Sequence, residues 1–193
     1  MEMITPKQYL NRFWQASAGV DLVKVEALVR LLEDAYRQKK AIYIFGNGGS
    51  GANASHFCED LGKGTLEEAS QSQRLRVMSL TDNTPYILAW ANDEGFETIF
   101  EQQLRNFAQP DEVAIGISGS GNSPNVLRAI EFANSIGMHT VGFTGFDGGR
   151  LKPMVEYPIH VPIHDMGIVE SVHLLIFHYI VHTLRARTAG SEE

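Results

Sequence analysis

Two stretches decide the fold: Ala41-Ile42-Tyr43-Ile44-Phe45-Gly46-Asn47-Gly48-Gly49-Ser50 and Val113-Ala114-Ile115-Gly116-Ile117-Ser118-Gly119-Ser120-Gly121-Asn122-Ser123. Each is a short apolar run that ends in a glycine- and serine-rich turn and leads into a helix-like stretch. Short apolar runs bounded by turn residues read as buried strands, so the chain makes a strand, a tight turn and a helix N-terminus twice. Glycine permits φ > 0 and lets a ligand approach the backbone closely. The first turn of a helix offers unpaired N–H groups and a partial positive charge, which suits an anion. With the serine hydroxyls as further donors, the pair of turns suits a phosphorylated small molecule and uses no arginine or lysine.

The flanking sequence supports a doubly covered sheet. Thr5-Pro6 opens a helix carrying Tyr9, Leu10, Phe13 and Trp14, and Asp21 opens a second with Val25, Leu28, Leu31, Leu32 and Ala35 on one face. Further strands are expected at 74–80, 139–143 and 157–161. Helices are expected at about 50–61, from Thr84-Pro85, at 96–107, from Ser123-Pro124 to about 135, and from about 165 to 187. Residues 62–73 read as a polar loop and 188–193 as a disordered tail. Strands alternating with helices imply parallel βαβ units in an α/β fold. Ligands in such sheets bind at the carboxyl ends of the strands, where both turns fall.

Composition narrows the function. The 193 residues are 44% hydrophobic, enough for one domain with a core, and no domain boundary is evident. The net charge of -7 argues against a nucleic-acid surface, which needs a basic patch. The single cysteine, Cys58, excludes an internal disulfide framework, reads as a structural thiol and fits a reducing cytoplasm. No signal peptide is seen, and no uncharged apolar stretch reads as long enough to span a membrane.

Among the candidate functional residues, Ser118, Ser120 and Ser123 form the expected phosphate cradle, although a serine-capped βα turn has the same composition. The Gly46–Ser50 turn matches neither GxGxxG nor the P-loop, whose lysine is missing, which argues against triphosphate chemistry. His56 and Asp60 share one helix face and admit three readings: a metal chelate, an acid/base pair or a surface contact. On the last helix stand Glu170, His173, His178 and His182, and spacing alone pairs Glu170 with His173.

Taken together, these residues resemble the sugar isomerase (SIS) domain family, and within it the phosphoheptose isomerases. The resemblance rests on Gly46–Ser50 with His56-Phe57, Ala91-Asn92-Asp93, Ile117–Ser123, Thr144–Gly149 and the final Glu170 and His178, and it covers nearly the whole chain. It implies a three-layer, flavodoxin-like sandwich with a five-stranded parallel sheet behind N-terminal helices at 1–40, as a homotetramer with sites near subunit interfaces. It implies phosphate contacts from Ser118, Ser120 and Ser123, the loop position Gly119, and sugar contacts from Asn47, Gly48, Ser50 and Asp93. The implied catalytic pair is Asp60 and His178, and the implied zinc ligands are His56, Asp60, Glu170 and His178.

The chain departs from the family pattern at Asp60, where Glu is usual, and at Glu170, where Gln is usual. It also lacks an arginine near Gly64 and has Gly119 where threonine is frequent. The expected activity is a cytoplasmic phosphosugar isomerase. It would interconvert sedoheptulose 7-phosphate and D-glycero-D-manno-heptose 7-phosphate through an enediol, without nucleic acid or membrane partners. The alternatives are an isomerase of another sugar phosphate and a non-catalytic SIS protein that binds a phosphosugar or a replication initiator.

Overall fold

The computed structural model describes residues 4–189. Thr5 opens helix α1 (Pro6–Ala18) with a capping box: its hydroxyl accepts from the Gln8 N–H, and the Gln8 side chain accepts from the Thr5 N–H at 2.7 Å. The Asp21 carboxylate caps α2 (Leu22–Arg37) by accepting from the Val23 and Lys24 N–H groups. The α/β part follows as β1 (Ala41–Gly46), α3 (Gly48–Glu59), β2 (Arg76–Ser79), α4 (Thr84–Glu94), α5 (Ile99–Phe107) and β3 (Val113–Ser118). It continues through α6 (Pro124–Ser135), β4 (His139–Thr144), α7 (Leu151–Met154), β5 (Tyr157–His160) and α8 (Met166–Thr188).

All five strands are parallel, in the order β2-β1-β3-β4-β5. This is the flavodoxin-like order, whose winding reverses between β1 and β3. Because both faces are covered, the strands are apolar throughout and their alternation only assigns side chains to one core or the other. Ile42, Ile44, Ile115 and Ile117 face α2, α3 and α8, packing with Leu28, Leu32, Phe57 and Phe177. Tyr43, Phe45 and Ala114 face α5 and α6, packing with Phe100, Leu104, Val126 and Ile130. Phe57 and Phe177 stack with centroids 4.2 Å apart and tie α3 to α8.

Several expectations are corrected. Helix α3 starts at Gly48, two residues early, and ends at Glu59 in a π-turn, Asp60–Gly64, that occupies the start of the expected loop. Strand β2 is shorter than expected and a 3-10 turn at Phe96–Thr98 precedes α5, whereas α4 starts at Thr84 as expected, with Asn83 as its cap. Helix α7 was not expected at all. Thr188 belongs to α8, whereas 190–193 lie outside the described residues. By length and composition α8 is long and apolar enough to cross a membrane, although it carries Glu170 and so is not one of the uncharged stretches considered in the sequence. Half of its apolar window is buried inside the protein, which is how the core helix of a sandwich meets the same criterion.

Candidate functional site

Both glycine-serine turns lie at the carboxyl ends of adjacent strands, since Gly46 pairs with Ile117 across β1 and β3. The turn after β3 is held by its own hydrogen bonds. Gly121 N–H donates to the Ser118 carbonyl at 2.8 Å with Gly121 at φ 66°, a conformation that favours glycine. The Ser118 and Ser123 hydroxyls lie 3.0 Å apart, and the Asn122 side chain donates to the Ser120 carbonyl at 2.9 Å. Ser123 sits at the N-cap of α6, yet its hydroxyl is turned to Ser118 instead of capping the helix. Pro124 has no N–H and the Val126 N–H donates to the Asn125 side chain, so the Asn125 N–H is the first-turn donor of α6 that Ser123 leaves uncapped.

The β4–α7 loop braces this turn from behind. Gly145 N–H donates to the Gly119 carbonyl, Leu151 N–H to the Gly121 carbonyl and Arg150 N–H to the Asn122 side chain at 3.2 Å. Gly119 is buried, and a Cβ there would collide with the Met166 sulfur.

In the turn after β1, Gly48 is exposed at φ 54° and Ser50 is buried within α3. Asn47 makes no cap bond to α3. Its amide instead pairs reciprocally with Asn125 in the first turn of α6, at 2.8 and 2.9 Å. Asn125 was not singled out in the sequence; the one available signal was an amide inside an otherwise apolar helix start. The Thr81 hydroxyl, just past β2 and against Gly51, is buried with no partner among the described residues. Asp93 lies exposed near the end of α4, where it accepts from the Asn92 side chain at 2.7 Å.

A second constellation lies where α3 and α8 run side by side. One oxygen of Asp60 stands 3.4 Å from His56 Nε2 and 3.6 Å from His178 Nε2, and donor atoms of the three residues lie within 4.8 Å of one another. Zinc ligands at about 2.0–2.1 Å in a tetrahedron are roughly 3.3–3.4 Å from each other. Two imidazole nitrogens and a carboxylate oxygen at this spacing fit a divalent metal, with a coordination position open to substrate.

Glu170 is not brought to this cluster. It stands two turns earlier on α8, where a Cβ on Gly49 would meet its carboxylate and its carbonyl accepts from Asn53 at 3.0 Å. Burial pushes the Glu170 carboxyl above its usual value. His173 pairs with neither Glu170 nor His178. It is fully buried, with Nε2 3.2 Å from the Thr144 carbonyl, and burial pulls its pKa down to about 4, so it is a neutral core histidine. His182 is exposed. Cys58 is half-buried between His56 and Asp60 in sequence, and burial raises its thiol pKa.

Residues 8–145 of the chain match the model of the SIS domain. The chain belongs to the SIS domain family. Within the family it is similar to the phosphoheptose isomerase of Geotalea daltonii, 39% identical over 86% of this chain and 85% of that one. Among solved SIS structures, that of the phosphoheptose isomerase from Francisella tularensis superimposes with a TM-score of 0.85 at 26% identity, covering 93% of this chain and 96% of that one. The phosphoheptose isomerase of Neisseria gonorrhoeae gives 0.83 at 28%, covering 91% and 92%.

Proposed function

We propose that this SIS domain is an aldose–ketose isomerase acting on a phosphorylated sugar, with sedoheptulose 7-phosphate and D-glycero-D-manno-heptose 7-phosphate as its substrate pair. The observation that carries the reading is the single Asp60 oxygen set between His56 and His178. A carboxylate beside an imidazole is the equipment for moving one proton between neighbouring carbons and another between their oxygens. The relatives named phosphoheptose isomerase supply the sugar.

The phosphate rests on the Ser118–Ser123 turn, whose hydroxyls and helix N–H groups donate to its oxygens. Asn47, Gly48, Ser50 and Asp93 take the sugar hydroxyls. Asp60 removes the proton from the carbon next to the carbonyl, and His178 protonates the carbonyl oxygen, giving an enediol. Return of the proton to the neighbouring carbon, with loss of the other hydroxyl proton, completes the isomerisation. His56, Asp60 and His178 would hold a divalent metal, zinc by donor type, which when bound polarises the substrate oxygens. Glu170, standing over Gly49, would join that set only by moving from its present place.

The same reading makes the protein a cytoplasmic homotetramer. Helix α4 has no buried residue, and Trp14, Leu22, Val23 and Leu88 are 64%, 73%, 76% and 62% exposed. Apolar faces of this extent call for a partner. His56 stands eight residues beyond Gly48, about 12 Å along α3. A cradle contributed by a neighbouring copy would shorten that reach, so sites near subunit interfaces follow. Light scattering tests the assembly, and a monomer at micromolar concentration would reject it. Turnover of sedoheptulose 7-phosphate by metal-loaded protein, followed by proton NMR, tests the reaction. Binding without turnover would instead mark a phosphosugar-binding protein.

A further inference from the structure

The reciprocal amide pair of Asn47 and Asn125 is the one hydrogen-bonded link between the two turns among the described residues. Asn125 is 1% exposed and thus deeply buried for an amide. Burial of that kind is costly unless the polar atoms are paired, and here they are. Its oxygen accepts from Asn47 and from the Val126 N–H at 2.9 Å, while its nitrogen donates to the Asn47 oxygen. An amide has two N–H donors and two acceptor lone pairs. Asn47 therefore keeps one donor and one acceptor position beyond the pair, and it is half-buried at the site.

The two turns differ in what else holds them. Strands β1 and β3 are kept in register only as far as Gly46 and Ile117. Beyond that point the Ser118–Ser123 turn has its internal bonds and three bonds from the β4–α7 loop. At Asn47 itself the carbonyl accepts from the Gly51 N–H and the side chain makes the amide pair, and from Gly48 onward the turn is already part of α3. Cutting the pair would release the Asn47 side chain and leave the bonds of the Ser118–Ser123 turn in place.

We propose that the Asn47–Asn125 pair is a spacer fixing the distance between the phosphate cradle and the sugar-binding turn, so that Asn125 is a specificity-determining positioning residue that selects sugar-phosphate length. The inference rests on the reading of the site as a phosphosugar site. It assigns Asn125 no contact with substrate.

The test uses the intact protein and two variants, Asn125→Ala and Asn125→Leu. The second roughly keeps the side-chain volume and removes both bonds to Asn47 without adding a charge, and it serves if the alanine variant fails to fold. Calorimetry measures inorganic phosphate and the five-, six- and seven-carbon ketose phosphates. Phosphate affinity should stay within twofold of wild type. Affinity for the preferred length should fall about tenfold, roughly what one lost hydrogen bond of good geometry gives, and the other lengths less than threefold. The preference among lengths then narrows. An equal fall for phosphate and all sugars shows a merely structural role and overturns the proposal, as do unchanged affinities. Wild-type protein that binds phosphate but no sugar phosphate rejects the phosphosugar reading and this inference together. Wild-type binding with no turnover rejects only the isomerase reading.

Discussion

The turn after β3 and the strip between α3 and α8 are opposite kinds of site. The turn is closed on itself: Ser118 is buried and bonded to Ser123, Asn122 to Ser120, and a neighbouring loop locks the backbone from behind. On the strip, His56 and His178 are exposed, lie edge to face with centroids 5.3 Å apart, and share the Asp60 carboxylate at 3.4 and 3.6 Å. The difference teaches where each part of the work is prepared. An anion can be met by donors already in place, at little cost in reorganisation. Proton transfer needs groups that are accessible and that tighten on something further, whether metal, substrate or a second copy.

The largest effect should come from breaking the open site. His178→Ala is expected to lower turnover by about 10²–10⁴-fold while the melting temperature changes little, because the side chain is exposed. A loss of less than tenfold in kcat would show that His178 is not the proton carrier.

The closed part of the fold should answer instead to acid. Burial depresses the folded-state pKa of His173 to about 4 from 6.5, so the unfolded chain binds its proton first. Stability should then be unaffected by this group above pH 6.5 and decline as pH falls towards 4, by on the order of 3 kcal/mol. Denaturant melts across that window check it. His173→Gln should flatten the slope, and an unchanged slope would assign the acid sensitivity elsewhere.

Metal sharpens the contrast further. If His56, Asp60 and His178 hold a dication, chelation should reduce turnover and lower stability by about 2.7 kcal/mol for metal at a hundredfold its Kd. Phosphate binding at the closed turn should hardly change. Full activity in chelator, with no metal in elemental analysis, would leave Asp60 and His178 acting alone. The smallest effect belongs to the turn after β3: Ser120→Ala with Ser123→Ala should weaken sugar-phosphate binding by about 1–3 kcal/mol in calorimetry. Equal affinity would mean that backbone N–H groups alone bind the anion.

Local signals were legible wherever one residue type has one physical use. Thr5, Asp21, Ser123 and Asp165 all stand at helix starts as their side chains and neighbours indicate, and the apolar runs became strands. The strand order was not in the local pattern, because it depends on pairings between residues about seventy apart, such as Ile42 with Val113. The π-turn at Asp60–Gly64 has no composition of its own and lies against α8, where Gly64 meets Val181.

The candidate site divides in the same way. The helical spacing of His56 and Asp60 placed them together, and resemblance added His178. Spacing then misassigned His173, whose environment is a core of Phe143 and Phe177 that no local pattern reveals. Asn125 escaped notice because its partner Asn47 is distant in sequence.

The lone thiol gives this molecule an intrinsic probe. Cys58 is the single cysteine of the chain, half-buried on the helix that carries His56. A thiol reagent therefore labels one position without any engineered substitution. Its reaction rate in native buffer measures how often α3 lifts away from its neighbours, in the manner of amide exchange. Because burial raises the thiol pKa, labelling should be slow when the helix is seated and accelerate on opening. Following that rate while metal, phosphate or sugar phosphate is added one at a time would show which ligand stiffens α3.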